Sequence, residues 1–326
     1  MKTRNKNAEQ FLQDFIENGH IKHGRSTVDG PRKRDSIAVF GKKIREHGKD
    51  WKEWKFSAQI KVTMVKKTKE NSVELDVEKN KEKTGNLGIK KIEEKPMTID
   101  VEINLIQAAV IKQDIEHVKL ITALALEEGG PDGLNAILKE KMEYSMSDSN
   151  WSDDDWNISP KFSWIADATV IHLATCWHVE SLIHFLDVSP LLCHRVTSLS
   201  KFTPLHVASS CDHDTIAVKI LIDKKAEIEA KNRRNQTPLH LSAQFGLTKD
   251  VITLLFEGNA NVMALDSNDH TPLHLAKTSE ILDILLAKTD ADKMNLLKEE
   301  KNNCLYKHIV KNHPEFIKTF LDLMVT

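Results

Sequence analysis

The sequence predicts a mainly α-helical fold: a solenoid of stacked helix pairs with hairpin tips, preceded by a basic, partly disordered head that carries a small β-meander. Two observations predict the solenoid. The tetrapeptide Thr-Pro-Leu-His occurs at residues 203–206, 237–240 and 271–274, at two intervals of 34 residues. One step earlier, Thr169-Val170-Ile171-His172 is a degenerate copy. A fixed period in this range marks units too small to bury an apolar face alone, so neighbours must stack. A third observation, period-two alternation of apolar and polar residues near the N-terminus, predicts the strands.

Each part of the repeat has a physical reason. Proline in the first helical turn loses no hydrogen bond, because that N–H has no intrahelical partner in any case. The threonine before it caps the free N–H groups of the turn. Leu239, Leu241 and Ala243, with Val251, Leu254 and Leu255 on the following helix, supply the apolar faces that stack. Ala208, Ala243 and Ala276 are small enough to let paired helices approach closely.

The stretch Asn235-Gln236-Thr237-Pro238-Leu239-His240-Leu241-Ser242-Ala243, followed by Gly246, Val251, Leu254-Leu255 and Gly258, resembles the ankyrin repeat at nearly every landmark. The resemblance is clear over residues 164–290, in units starting near 169, 203, 237 and 271. Degenerate units at 104–127 and 302–326 bring the total to about six; the first keeps the second-helix habit in Asp114-Ile115-Glu116-His117-Val118-Lys119. The even spacing conceals compensating indels: one extra residue after Cys211, and one at Gly258-Asn259-Ala260, where Asn259 takes the left-handed cap. About three residues are lost between Ala276 and Ile281.

The chain divides into a head, residues 1–95, and an array, residues 104–326, with an acidic insertion at 128–163. Charge divides the same way. The head holds 24 Lys+Arg against 15 Asp+Glu, and the remainder 22 against 33, although the whole chain is only −2. In the head, Phe11, Leu12, Phe15 and Ile16 share one face of a helix expected over 7–18, and alternation predicts strands at 56–65, 72–78 and 96–103. In the insertion, residues 129–133 read as a turn and 134–142 as a short helix, followed by the acidic, aromatic run Trp151-Ser152-Asp153-Asp154-Asp155-Trp156. Two readings stand for that run: an exposed loop with its tryptophans docked on neighbouring units, or a segment that binds a basic partner or folds back on the head. Ser152 before three aspartates also resembles a site for acid-directed kinases.

Composition excludes several function classes. The N-terminus leads into no apolar core of signal-peptide length. No apolar run approaches the ~18–20 residues that span a bilayer. Cys176, Cys193, Cys211 and Cys304 have no paired spacing and are read as reduced thiols in a cytoplasmic, or nuclear, protein. Arg32-Lys33-Arg34 reads either as a nuclear-import signal or as a solvated loop. Because the chain ends at Leu321-Asp322-Leu323-Met324-Val325-Thr326, on an expected terminal-unit helix, no further module is expected.

Fifteen histidines invite a metal or catalytic reading. His172, His206, His240 and His274 belong to the repeat and are expected to bond the backbone of neighbouring units. Neither His20 with His23 nor Cys176 with His178 supplies the four ligands of a closed zinc site. No phosphate loop, nucleophile elbow or kinase signature occurs. The expectation is therefore no enzyme, no cofactor and no metal.

What remains is a surface. The resemblance implies that a partner protein binds through the hairpin tips and the exposed ends of the first helices of an array that is itself monomeric. The tips fall at 194–200, 231–235 and 266–269, and the last two present Lys231, Arg233, Arg234, Asp266 and Asp269. Trp177 and Phe245 hold one position, just past the first helix, where such repeats usually carry polar residues. The charges read equally as partner contacts or as ion pairs between tips, and the aromatics as binding anchors or as local packing. Two other functions stay open: an electrostatic module whose basic head binds nucleic acid or an anionic membrane surface, and the cytosolic ankyrin part of a larger assembly.

Overall fold

The computed structural model describes residues 56–66, 94–144, 156–158, 164–211, 215–245 and 248–289. The helix expected at 7–18, the strand at 72–78, the basic cluster at 32–34, Trp151, Ser152, Cys304 and the unit at 302–326 lie outside the described residues.

Two of the alternating stretches form β1 (Phe56–Lys66) and β2 (Glu94–Ile103). They pair antiparallel, with Phe56 opposite Ile103, Ile60 opposite Ile99 and Val62 opposite Met97. β2 runs through Asn104 straight into α1 (Leu105–Ile111), which is followed by α2 (Ile115–Lys139).

The turn and short helix expected at 129–142 are the distal part of α2. Gly130 interrupts the helix with φ 59° and ψ −159°, a conformation that favours glycine, and helical geometry resumes at Pro131. The helix ends at Lys139 rather than near 142, and the Met142 N–H bonds the Ala168 carbonyl at 2.7 Å. β3 (Glu143–Tyr144) then pairs with β2, and β4 (Trp156–Ile158) pairs with β1, giving a four-stranded sheet of order β3-β2-β1-β4. Strands on either side of the acidic run thus join one sheet, β3 at β2 and β4 at the head strand β1; residues 145–155 of the run lie outside the described residues.

The array continues with α3 (Val170–Trp177) and α4 (Val179–Val188), then α5 (Pro204–Ala208) and α6 (Thr215–Asp223). α7 (Pro238–Phe245) and α8 (Lys249–Glu257) follow, then α9 (Pro272–Leu275) and α10 (Ser279–Ala287). The first helices α1, α3, α5, α7 and α9 touch in that order, as do the second helices α2, α4, α6, α8 and α10. One apolar core runs continuously from Ile103 to Leu286. Trp164 and Phe185 are its largest fully buried side chains. Leu239, Leu241, Ala243, Val251 and Leu255 are all buried, as the repeat pattern requires, and Leu254 is half-buried at the edge.

Two of the three indels fall where the sequence places them; the extra residue after Cys211 lies outside the described residues. α9 is cut to four residues and only three separate it from α10. Asn259 adopts φ 66°, the left-handed cap after α8. No helix among the described residues is long and apolar enough to cross a membrane.

Candidate protein-interaction surface

The polar groups of the repeat form two ladders, and these determine what is left over for contact. In the first, each motif histidine closes its own helix start, and His172, His206 and His240 also reach the next unit. The Thr203 N–H donates to His206 Nδ1 at 3.2 Å, and the Thr203 hydroxyl lies 2.8 Å from the same nitrogen. With Nδ1 accepting, Nε2 carries the proton and donates to the Gln236 carbonyl at 2.9 Å. His172 reaches the Phe202 carbonyl at 3.1 Å and His240 the His270 carbonyl at 3.0 Å in the same way. Burial disfavours the charged imidazole and pushes His172 and His206 down to about 4; it lowers His240 as well.

The degenerate first unit keeps this device with different residues. Asn104 and Gln107 exchange side-chain-to-backbone hydrogen bonds, both 2.9 Å, and Gln107 Nε2 donates to the Glu140 carbonyl at 3.0 Å. Gln107 therefore does the work of the motif histidine. Asn-x-x-Gln before an apolar run is a capping-box signature, so the substitution is readable in the sequence even though the tetrapeptide is absent.

The second ladder links the tips. The Arg233 N–H donates to the Ser200 carbonyl at 2.9 Å, and one period later the Ser267 N–H donates to the Arg234 carbonyl, also at 2.9 Å. One period earlier, the Leu199 N–H donates to the Asp167 carboxylate at 2.6 Å. Within each tip a side chain holds the turn. Asn232 Oδ1 accepts from the Arg234 and Gln236 N–H groups, at 2.8 and 3.0 Å. Its equivalent 34 residues on, Asp266, accepts from the Asn268 and His270 N–H groups at 2.8 and 3.0 Å.

These bonds decide the fate of the predicted residues. Lys231, Arg233, Arg234 and Asp269 are exposed at the tips. Asp266 is corrected: it is only 5% exposed, and its carboxylate is engaged inside its own turn, so it organises a tip and does not face outward. Among the described residues no ion pair joins the basic middle tip to Asp266 or Asp269; the tips are tied through backbone instead.

Trp177 and Phe245 are both half-buried and packed against the core edge. The Trp177 ring lies 6.0 Å from Trp164, tilted by 51°. Tips and aromatics are not one cluster. They sit at opposite ends of the first helices, separated by about 12 Å along an eight-residue helix such as α7. The surface is therefore two parallel rims, one charged and one aromatic.

Exposed apolar residues add to the candidate contacts, two of them inside the tip that the sequence places at 194–200. Val196 and Leu199 at the first tip, and Leu265 at the third, are apolar and exposed, and Leu191 is 80% exposed. Leu199 was within reach of the period, since it stands 34 residues before Arg233. Among the described residues, no group of three or more His, Cys, Asp or Glu side chains is placed to hold a metal ion.

A right-ordered stack of helix pairs, capped by Thr-Pro-Leu-His and joined by hydrogen-bonded tips, defines a repeat solenoid with an extended contact face. Residues 171–266 and 217–296 match the model of the ankyrin repeats family, in three copies. This part of the chain is an array of ankyrin repeats, a module that in general mediates protein–protein interaction and is typically non-enzymatic. No curated protein matches the chain.

Proposed function

We propose that the protein is a non-enzymatic intracellular scaffold or adaptor that binds a partner protein across the two rims of its first-helix face. One observation carries the reading. The motif's buried histidines and the Asn232 and Asp266 side chains are satisfied inside the frame, whereas Lys231, Arg233, Arg234 and Asp269 face outward along one rim. Trp177 and Phe245, half-buried at the other rim, supply aromatic area of the kind that anchors interfaces. The cytoplasm or nucleus, where thiols stay reduced, suits a chain in which none of the described cysteines is in a disulfide.

Lysine-directed cross-linking of the complex captured from native cells tests the face. Cross-links to the partner are expected on Lys201 and Lys231, at the tips. Cross-links confined to Lys219 and Lys249, exposed on the second helices, would place the partner on the opposite side and refute the reading.

A further inference from the structure

Cys176 and Cys211 are 35 residues apart in sequence, and their sulfurs lie 2.9 Å apart in the fold. Cys176 lies in the last turn of α3; Cys211 follows α5 of the next unit, just beyond Ser209 and Ser210. Both side chains are buried, yet both line a cavity of about 260 Å³. Gln113, Thr175, Trp177, Val179, Ala208 and Ala217 complete its wall. Neither sulfur is in a disulfide.

Two sulfurs at this separation are closer than ordinary non-bonded contact. A disulfide, at about 2.05 Å, requires them to close by less than about 1 Å, within reach of small torsional changes in two side chains. A small solute in the cavity can meet either sulfur. Cys193 provides the contrast. It is buried, its thiol donates to the Lys224 carbonyl at 3.5 Å, burial pushes its ionisation upward, and no second sulfur stands beside it among the described residues.

We infer that Cys176 and Cys211 are a modification site: a vicinal dithiol that a peroxide-class oxidant converts to a disulfide linking two neighbouring repeats. The chemistry balances with hydrogen peroxide as the named co-reactant. One thiolate attacks a peroxide oxygen and breaks the O–O bond, leaving a sulfenic acid and releasing water once the departing hydroxide takes a proton. The second thiolate attacks the sulfenic sulfur, forming the S–S bond and expelling hydroxide, which takes the second thiol's proton. Two thiols and one peroxide give one disulfide and two waters, with two electrons passing from sulfur to oxygen.

The cross-link closes a loop of about 35 residues and clamps the stacking of α3 on α5. Constraining the unfolded chain in this way raises the melting temperature of a domain of this size by roughly 5–10 °C. A thiol reductant reverses it. The inference does not depend on the partner-binding reading.

The test uses the full chain, reduced, freed of reductant and treated with a small molar excess of hydrogen peroxide. Remaining thiols are then alkylated under denaturing conditions, and peptides are mapped by mass spectrometry. The expected product is the Cys176–Cys211 linked pair, with Cys193 alkylated, and a melting temperature that rises on oxidation and returns on reduction. Both the link and the rise should vanish in Cys176→Ser and, separately, in Cys211→Ser, so one well-folded variant suffices. Full alkylation of Cys176 and Cys211 after treatment, oxidation to sulfinic acid without a link, or a link to Cys193 or Cys304 would each overturn the inference.

Discussion

His206 Nε2 donates to the Gln236 carbonyl at 2.9 Å, across the boundary between two repeats, while the same ring accepts the Thr203 N–H at 3.2 Å. One side chain thus satisfies a helix start and a neighbour's backbone, both buried. His206→Ala is expected to leave two buried polar groups unpaired and to cost about 2–4 kcal/mol. His206→Gln should recover at least half of that loss, because Gln107 makes the equivalent pair of bonds in the first unit. Urea unfolding of the three proteins checks the order: wild type, then Gln, then Ala.

The same ladder makes the array acid-sensitive. Unfolded histidine takes up its proton near pH 6.5, but the fold holds His172 and His206 neutral down to about 4. Between those values the unfolded chain binds more protons, so stability is fully present above pH 6.5 and falls as pH drops toward 4. At pH 5 the loss should be about 2 kcal/mol for each of these histidines, with His240 adding in the same direction. Urea midpoints at pH 7.5 and pH 5 measure it; His206→Gln should show the smaller drop.

Asp266 offers a test of its corrected role. Its carboxylate accepts two N–H groups within its own tip, as the Asn232 amide oxygen does one period earlier. Asp266→Asn should therefore be close to neutral, and Asp266→Ala should cost about 1–3 kcal/mol. Thermal melts of both variants decide it. Equal, negligible effects would mean that the turn holds without its side chain.

Gly258 is a point of close approach, and its backbone angle does not itself ask for glycine. It caps α8 at φ −79°, but a Cβ there would run into the Ile228 side chain of the preceding unit. Because the Ile228 methyl can swing aside, Gly258→Ala is expected to cost no more than about 1 kcal/mol through overpacking. The cost should shrink in the double variant with Ile228→Val, a coupling that a double-mutant cycle in urea reads directly.

The fold was largely legible because repetition multiplies weak signals. A single Thr-Pro-Leu-His says little, but three at one spacing fix helix starts, tips and stacking faces together. The histidines' role as inter-unit bonds and the cap at Asn259 followed from the pattern alone. What did not follow depends on contacts between distant segments. Nothing local to Trp156 or Tyr144 tells that the insertion lends strands to β1 and β2. Nothing at Cys176 or Cys211 announces that stacking brings them together, because that spacing has no meaning until the units are placed. Asp266 was misjudged for a related reason: an aspartate in a polar tip is equally suited to solvent and to capturing its own turn's N–H groups.

The central claim is that a partner protein engages the two rims, and the most direct measurement combines four substitutions there. A variant carrying Trp177→Ala, Phe245→Ala, Arg233→Ala and Arg234→Ala is compared with wild type for capture of the native partner. Circular dichroism checks that the fold is retained, and the four single variants report each site's share of any stability change. The account predicts that the captured partner falls at least tenfold while the helical signal and a cooperative melt persist. Undiminished capture by the folded quadruple variant would contradict it.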